Sequence, residues 1–541
     1  MNATYRLRRW FGSAVALMSG LDSAVLLHGL MRGFLPLLML CGATLAARGQ
    51  YQFGTQVNPD GTLTVYRGAA EPSGALVIPG TIDGRTVAVI GERAFGDCPR
   101  LTEILIPPTV FKIRRWAFSN CIGLTEVTIP ASVSVLERGA FTGCTGLSRM
   151  VIPDTVRSID TDLLFSGCTR LESVRLPISL KVLGNGTFGG CISLRTFAIP
   201  GEVVAIRGAA FKGCSSLTHV YVPRGVTELG GYAFTGCASL AAIDVDPDNA
   251  LFRSEDGVVF DKALTTLVAY PGGRKGGYVV REGIVRIGSD AFSDCDEVDA
   301  VTLPSTLRVI ERSAFLGCGK LSDMTIPDGV TILGELAFYE CTHLTNVTIG
   351  ENVASMGNHA FSGCTNLVGV TMGGRVGSIG FGAFSYCTRL TSVTIPDGVT
   401  SIWASTFAFS GLTSVTVGKG VKNIGSSAFG NCASLRAAYF AGDAPPNTEA
   451  DAFGDPRGEV SPTSVFYLPG TLGWGPTFAG RPTGFWVRSI PTILGFGERF
   501  GLSADGFGFV ISWATNVPVV VEASMDVDGL GWTTISTNAL E

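Results

Sequence analysis

Apolar residues recur along this chain in one fixed order, and that order repeats about every 23 residues. In the clearest copy, Leu390 is followed by Val393 and Ile395, and Pro396 comes next. The alternation of apolar and polar residues at Val393 and Ile395 predicts a short β-strand with two inward side chains. Pro396 ends that strand because proline has no N–H group to donate to a neighbouring strand. A valine and an isoleucine within residues 399–402 are expected to point back inward.

A second apolar group, A-F-x-x-C, completes each cycle; Ala383, Phe384 and Cys387 form one copy. Its spacing is close to that of a helix, which predicts a short helical or 3₁₀ turn on the convex side. The cysteines are 23 or 24 residues apart on both sides of one interruption. They are Cys98, Cys121, Cys144, Cys168, Cys191, Cys214 and Cys237, then Cys295, Cys318, Cys341, Cys364 and Cys387. A period of this length is typical of a solenoid, in which each coil buries its apolar face against its neighbours.

The full cycle, IP-x-x-V-x-x-I-G-x-x-AF-x-x-C-x-x-L-T-x-V-x-IP, resembles the BspA-type (Treponema-type) leucine-rich-repeat family. Residues 326–349 show it well, with Pro327, Phe338 and Cys341 in their places, and the resemblance extends over roughly residues 76 to 455. It implies a secreted or surface-displayed bacterial protein. The expected fold is an α/β-type solenoid dominated by β-strands, a leucine-rich-repeat curved rod of about 70 Å with one parallel sheet.

The places where the 23-residue repeat pattern stops or is interrupted predict the domain organisation. The expected segments are a signal region at 1–49, an N-terminal β cap at 50–90, leucine-rich repeats at 91–455 with a hairpin insertion near 246–280, a C-terminal cap and linker at 456–488, and a small β-domain at 489–541. In the insertion, two strand-like runs at 256–260 and 264–270 are separated by a short polar stretch, which predicts a β-hairpin. Ser410 occupies a cysteine position in a shortened repeat.

The amino-terminal region has the pattern of a secretory signal peptide. Met31 and Arg32 precede a mostly apolar run at 34–47 that is too short for a comfortable membrane span. Residues 1–30 fit this pattern poorly, so either they form a long leader or the true start is Met31, which we favour. Cys41 lies inside the run, but the large residue before it disfavours lipidation.

The net charge and the cysteine content argue against several kinds of partner and site. The net charge is −5 over 541 residues with no basic run, so we expect no nucleic-acid partner. Export permits disulfides, and coils roughly 5 Å apart nearly allow a bond between neighbouring cysteines. Their side chains would point in parallel, however, so a ladder of reduced, buried cysteines is the preferred prediction. The chain has no C-x-x-C motif and four histidines, which disfavours zinc.

No signature of an enzyme or a cofactor site occurs in the sequence. His219, His343 and His359 fall at different repeat phases or on distant coils. The glycine-rich stretch at 272–277 is not followed by a helix pattern, which argues against a phosphate loop. The acidic stretch at 246–248 is better explained as a solvated turn than as a calcium site. We therefore expect no catalytic residues, no metal and no cofactor.

Any function on this scaffold is expected on the strand face, at the position between the two inward residues. The first half of this outward column is Leu105, Thr128, Val151, Arg175, Ala198, Tyr221 and Asp244. The second half is Thr302, Thr325, Thr348, Thr371, Thr394, Thr416 and Tyr439. Threonine stabilises strands, so the second half needs no ligand, although repeated hydroxyls could also face carbohydrate or ice.

The first half has the charged and aromatic variety that recognition uses. Arg175, His219, Tyr221 and Asp244 are the predicted ligand-binding residues. The predicted function is an adhesion-like, monomeric surface protein that binds protein or glycan, with no membrane span in its mature chain. A structural spacer is the main alternative, and an enzyme that uses the small tail domain is a third.

Overall fold

The computed structural model describes residues 51–454 and 462–486 and the backbone of a few strands beyond them. The predicted signal region, with Cys41, lies outside the described residues. Residues 51–54 and 67–72 form one compact unit, in which the Tyr51 hydroxyl donates to the carbonyl oxygen of Ala70 at 2.8 Å. Residues 55–66 and the chain from Ser73 onward form the second unit, which contains the repeats.

Most repeats contribute one strand to a row of parallel strands, called here the long-strand row; the repeat of Thr196 contributes only an isolated bridge to His219. In the second half of the row the pairing follows the repeat, so that Thr325 pairs with Thr348 and Thr348 with Thr371. The strand that precedes Pro396 ends at Ile395, as predicted. The strands of the row are Gly74–Val77, Leu101–Leu105, Glu126–Thr128, Arg149–Val151, Ser173–Arg175, His219–Val222, Ala242–Val245, Tyr278–Val279, Val301–Thr302, Asp323–Ile326, Asn346–Ile349, Gly369–Met372, Ser392–Ile395, Ser414–Val417, Ala437–Phe440, Ser464–Tyr467 and Arg481–Phe485.

A second row of parallel strands, the short-strand row, was not predicted. Its members are mostly two residues long, and most contain the isoleucine or leucine that follows the turn. They are Arg85–Ile90, Lys112–Ile113, Val135–Leu136, Ser158–Ile159, Val182–Leu183, Ala205–Ile206, Glu228–Leu229, Thr266–Ala269, Arg286–Ile287, Val309–Ile310, Ile332–Leu333, Ser355–Met356, Ser378–Ile379, Ser401–Ile402, Asn423–Ile424 and Asn447–Thr448. The β-dominated solenoid is thus confirmed, but its strands form two rows, each divided into several sheets, instead of one sheet.

The A-F-x-x-C segments are turns, and the residues that the structure describes contain no helix. Trp116 and Asn120, two residues before and two after Phe118, have φ angles of 58° and 56°. Such left-handed residues interrupt a right-handed helix. The turns are stabilised between repeats instead: the N–H of Phe118 donates to the carbonyl of Ala140 at 2.8 Å. The predicted helical turn is therefore replaced by a third hydrogen-bonded ladder.

Phenylalanines and cysteines of these turns form two columns in the core. The rings of Phe338 and Phe361 are parallel with centroids 5.1 Å apart, and the same stacking recurs along the solenoid. Most of these thiols, such as that of Cys341, donate to the phenylalanine carbonyl of the preceding repeat, here Phe315 at 3.1 Å. All thirteen repeat cysteines are buried, and those from Cys121 to Cys432 are free thiols. Ser410 takes a cysteine position, and its hydroxyl oxygen lies 3.2 Å from the sulfur of Cys432.

Neighbouring repeats approach so closely that several positions have no room for a side chain. A Cβ atom on Gly357 would lie 2.4 Å from the backbone nitrogen of Glu335 and from the backbone carbon of Gly334. One on Gly380 would lie 2.7 Å from backbone atoms of Gly357. Glycine after the isoleucine of the short strand thus sets the spacing between repeats.

The insertion between the two repeat arrays is the predicted hairpin. Val258–Asp261 pairs antiparallel with Phe252–Glu255 on one side and with Thr266–Ala269 on the other. Thr266–Ala269 then pairs parallel with Arg286–Ile287 and returns the chain to the short-strand row.

The start and end of the chain contain further strands. At the start they are Gly54–Val57, Leu63–Tyr66 and Thr81–Ile82, and near the end Thr477–Phe478 pairs with Arg481–Phe485. The tail strands are Thr492–Ile493, Gly501–Ser503, Gly506–Gly508, Ile511–Ser512, Pro518–Ser524 and Trp532–Ala539. They form antiparallel pairs.

Candidate functional site on the outward strand face

Side chains alternate between core and solvent along each strand of the long-strand row. In His219–Val222 the two valines are fully buried, whereas His219 and Tyr221 are exposed. The register places Tyr221 beside Asp244 on the neighbouring strand and His219 beside Ala242. The predicted outward column is therefore an exposed surface, and we call it the strand face.

Three of the four predicted ligand-binding residues meet on this face. The Nε2 atom of His219 lies 2.7 Å from Oδ2 of Asp244. The hydroxyl of Tyr221 donates to Oδ2 of Asp246 at 3.0 Å, and this hydrogen bond raises the pKa of Tyr221. The sequence predicts Asp246 only as part of a solvated turn at the edge of the insertion. Its other oxygen accepts a hydrogen bond from the N–H of Asp248 at 2.9 Å, which agrees with the turn interpretation.

Arg175 lies on the same face but two repeats earlier, with the repeat of Thr196 in between. Its guanidinium donates to Oδ2 of Asp154 at 2.5 Å. The backbone N–H of Ile178 and this guanidinium lower the pKa of Asp154. Arg175 therefore does not contact the other three residues. We call Arg175, His219, Tyr221, Asp244 and Asp246 the central patch.

The strand face continues before Arg175 as an apolar surface. Val77, Leu105 and Val151 are exposed to 60%, 38% and 54%, although buried positions are usual for such residues. The strands Glu126–Thr128 and Arg149–Val151 do not pair, and a groove of about 420 Å³ lies there. Leu105 and Val151 belong to the predicted outward column, and Val77 extends that column by one strand.

The repeats match a known protein-family model. A model described as "BspA type Leucine rich repeat region (6 copies)" matches residues 81–164, 150–255, 278–387 and 309–436. The chain belongs to the BspA-type leucine-rich-repeat family.

Solved structures of several bacterial leucine-rich-repeat proteins are similar to this BspA-type chain. A leucine-rich cell surface protein of Faecalibacterium prausnitzii is 27% identical, with a TM-score of 0.49 over 73% of this chain and 94% of that chain. A leucine-rich-repeat protein of Bacteroides ovatus is 26% identical, with a TM-score of 0.40 over 72% and 93%. The pneumococcal vaccine antigen PcpA is 20% identical, with a TM-score of 0.47 over 78% and 93%. Among curated proteins, none matches the chain.

After the insertion, one of the two outward columns on the strand face of this BspA-type solenoid consists mainly of threonine. Thr325, Thr348 and Thr371 lie side by side on paired strands, and Thr394 and Thr416 do so on the next sheet. All are exposed or half-buried. Repeated threonines stabilise neighbouring strands, which accounts for this threonine ladder without a ligand.

The described residues contain neither a side-chain group that could hold a metal ion nor a helix that could span a membrane. Within residues 51–454 and 462–486, no cluster of three or more His, Cys, Asp or Glu side chains is placed to hold a metal ion. The same described residues include no helical segment with the length and apolar character needed to cross a bilayer.

Proposed function

We propose that the protein is a secreted or cell-surface bacterial repeat protein that binds another protein through the strand face of its first half. Export rests on the basic and apolar pattern around residues 31–47, and the binding role rests on the strand face. The protein acts as an adhesin-like monomer and carries out no chemistry on its ligand.

The observation that supports binding most strongly is the fixed arrangement of Tyr221. The residue is 46% exposed, its hydroxyl donates a hydrogen bond to Asp246, and the neighbouring His219 is held by Asp244. Side chains that are already ordered lose little conformational entropy on binding. Tyrosine and arginine are also the residue types that contribute most at protein interfaces. The central patch therefore combines suitable residue types with pre-organisation.

The surroundings of the central patch favour a protein ligand over a glycan. Exposed Val77, Leu105 and Val151 extend the same face, and they can bury aliphatic side chains of a partner. The groove beside Val151 can accept a partner side chain. A glycan would form hydrogen bonds through its hydroxyl groups and would gain little from these aliphatic residues.

The alternative function is a spacer that holds the terminal β-domain away from the cell. The threonine ladder favours this reading for the second half, because uniform strand-stabilising residues are what a spacer needs. One protein can both bind a partner and act as a spacer only if binding uses one half of the solenoid and the other half is the spacer.

An array of extracellular host proteins and glycans, probed with the purified full chain, tests this proposal. We expect saturable binding to protein spots that is lost when Tyr221→Ala and Arg175→Ala are combined. Binding to glycan spots alone would replace the protein ligand by a carbohydrate, and the absence of any saturable spot would favour the spacer.

A further inference from the structure

Two consecutive turns near the end of the solenoid carry exposed aromatic side chains. Phe381 and Tyr386 belong to one turn, and Trp403 and Phe409 belong to the next. All four are exposed, Tyr386 to 51% and Trp403 to 58%. Aromatic residues usually bury most of their surface, and clusters of exposed apolar residues mark interaction sites. We call these four residues the aromatic turn patch.

Tyr386 and Phe409 occupy a backbone position that disfavours large residues. Their φ angles are 60° and 59°, in the left-handed region. In most other repeats glycine holds this position, as Gly317 and Gly363 do, because a Cβ atom makes the left-handed conformation unfavourable. The rings of Tyr386 and Phe409 are nevertheless placed there and stack in parallel, with centroids 4.8 Å apart. An unfavourable backbone conformation that presents two side chains to solvent indicates a functional role for them.

Phe381 and Trp403 lie at the start of the same two turns. The N–H of Gly382, next to Phe381, donates to the carbonyl of Ala404, next to Trp403, at 3.1 Å. The imidazole of His359 packs edge-on against the ring of Phe381, with centroids 5.0 Å apart. A Cβ atom on Gly382 would lie 2.6 Å from that imidazole, so glycine leaves room for this contact. The preceding repeat thus holds Phe381 in place.

The residues between the two aromatic pairs are buried. Residues 382–385 and 406–408 lie below the surface, and among them Ser385 and Ala408 are small. The N–H of Ser385 donates to the carbonyl of Gly382 at 3.0 Å, which closes the turn between Phe381 and Tyr386. The aromatic turn patch therefore consists of two aromatic ridges with a lower strip between them.

The patch combines apolar surface with hydrogen-bond donors and carries no charge. Residues 380–388 and 403–411 contain no Asp, Glu, Lys, Arg or His. The Tyr386 hydroxyl and the indole N–H of Trp403 donate to no side chain or carbonyl among the described residues. The indole N–H can only donate. A complementary ligand is therefore uncharged, has flat apolar groups and supplies hydrogen-bond acceptors.

We propose that the aromatic turn patch binds a proline-rich segment of a partner protein in the polyproline II conformation. Such segments dock between aromatic side chains, and their proline residues offer carbonyl acceptors but no N–H donors. Tyr386 and Trp403 donate to these carbonyls, and the proline rings pack against Phe381 and Phe409. The polyproline II helix is already ordered before it binds, so it loses little conformational entropy.

This site is distinct from the central patch. It lies on turns in the second half of the solenoid, whereas the central patch lies on strands of the first half. It does not depend on the proposed function of the strand face, and each site can be tested without the other.

Fluorescence anisotropy of labelled decaproline, titrated with the full chain, tests the proposal. A glycine-serine peptide of equal length is the control. We expect saturable binding of decaproline with a Kd below about 1 mM and no binding of the control peptide.

Variants of the full chain locate the binding site. Tyr386→Gly combined with Phe409→Gly installs the residue that other repeats use, so thermal stability should be kept or raised. The same double variant should raise the Kd for decaproline at least about tenfold. Trp403→Phe removes only the indole N–H and should weaken binding less. Tyr221→Ala, in the central patch, should leave it unchanged, and thermal unfolding establishes that each variant is folded.

A lipid surface is the other partner that exposed, uncharged aromatic residues can fit. Binding to phosphatidylcholine vesicles that the double glycine variant abolishes, without binding of decaproline, would replace the proline-rich partner by a membrane. The proposal is also wrong if decaproline fails to bind at about 1 mM, or if the control peptide binds equally. Equal affinity of the folded double glycine variant, or loss of binding in Tyr221→Ala, would place the peptide elsewhere on the protein.

Discussion

The aromatic rings of Phe315 and Phe338 are parallel to within 2°, with centroids 4.9 Å apart. That distance is close to the spacing of neighbouring strands in a sheet, so ring stacking and strand pairing reinforce each other from repeat to repeat. Each phenylalanine contacts mainly the rings before and after it, as expected for a protein stabilised by nearest-neighbour interfaces.

Truncation of one ring should therefore destabilise the repeats beside it. Phe338 is fully buried, and Phe338→Ala should lower the free energy of unfolding by about 3–5 kcal/mol. Thr348→Val is the control, because Thr348 is exposed on the strand face, and it should change stability by less than about 0.5 kcal/mol. Hydrogen exchange should show faster exchange in the repeats around Phe338 only. The opposite ranking would invert the assignment of inward and outward residues.

Replacing a glycine where two repeats are in close contact should also destabilise the protein. A methyl group at Gly357 would meet the backbone of the preceding repeat at 2.4 Å, so Gly357→Ala should destabilise by about 1–3 kcal/mol. At Gly374 the nearest atom to such a methyl group is a carboxylate oxygen of Glu351 at 3.5 Å. Gly374→Ala should be neutral or slightly stabilising. Equal losses of stability in urea unfolding would show that close approach is not the reason for glycine.

The architecture was largely predictable because its elements repeat. The alternation of apolar and polar residues around Val393 and Ile395 indicated the long strands, and Pro396 indicated where they end. The short strands, such as Ser401–Ile402, were missed because two residues leave no alternation to detect. The turn around Phe118 was predicted as helical because hydrophobic spacing alone does not reveal left-handed residues such as Trp116.

The cysteine column should be reduced and unreactive in the folded protein. Burial raises the pKa of Cys144 and of Cys237 to about 12, so neither forms the reactive thiolate at pH 8. Iodoacetamide should modify few repeat cysteines in the native protein and all thirteen in urea without reductant. Oxidised neighbouring pairs in the urea sample would contradict the hydrogen-bonded thiol column.

Asp290 should make stability depend on mildly acidic pH. Its pKa is about 6 in the folded protein against an ordinary 3.8, so the folded state holds the proton more tightly than the unfolded state. Stability from this group is therefore full below about pH 4 and is lost as the pH rises through 6. The loss is at most about 3 kcal/mol and is smaller in practice, because the half-buried carboxylate is partly screened by water.

Urea unfolding at pH 5 and pH 7.5 measures this loss, and Asp290→Asn should reduce the difference between the two values. Asp290 is faced by Tyr232, Lys212 and Arg312, which are the same in both proteins. Their own contributions to the pH dependence of stability therefore cancel when the two proteins are compared. An identical pH dependence in both proteins would show that this carboxyl group is not buried in the folded protein.

The candidate sites were less predictable than the fold. Repeat phase placed Tyr221 and Asp244 side by side, because residues one period apart lie on neighbouring strands. The same argument cannot predict that His219 reaches diagonally to Asp244, since that contact depends on side-chain conformation. The hydrogen bond between Tyr232 and Ser313 was not predictable either, because the hairpin insertion brings together two residues that are distant in sequence.

Binding by paired variants tests the central claim most directly. The ligand identified on the array is titrated against the full chain carrying Tyr221→Ala and Arg175→Ala, and against the full chain carrying Thr325→Ser and Thr371→Ser. We predict that the first pair raises Kd about tenfold or more without altering thermal stability, whereas the second pair leaves Kd unchanged. Unchanged affinity in the first pair, or loss of affinity in the second, would contradict binding through the central patch.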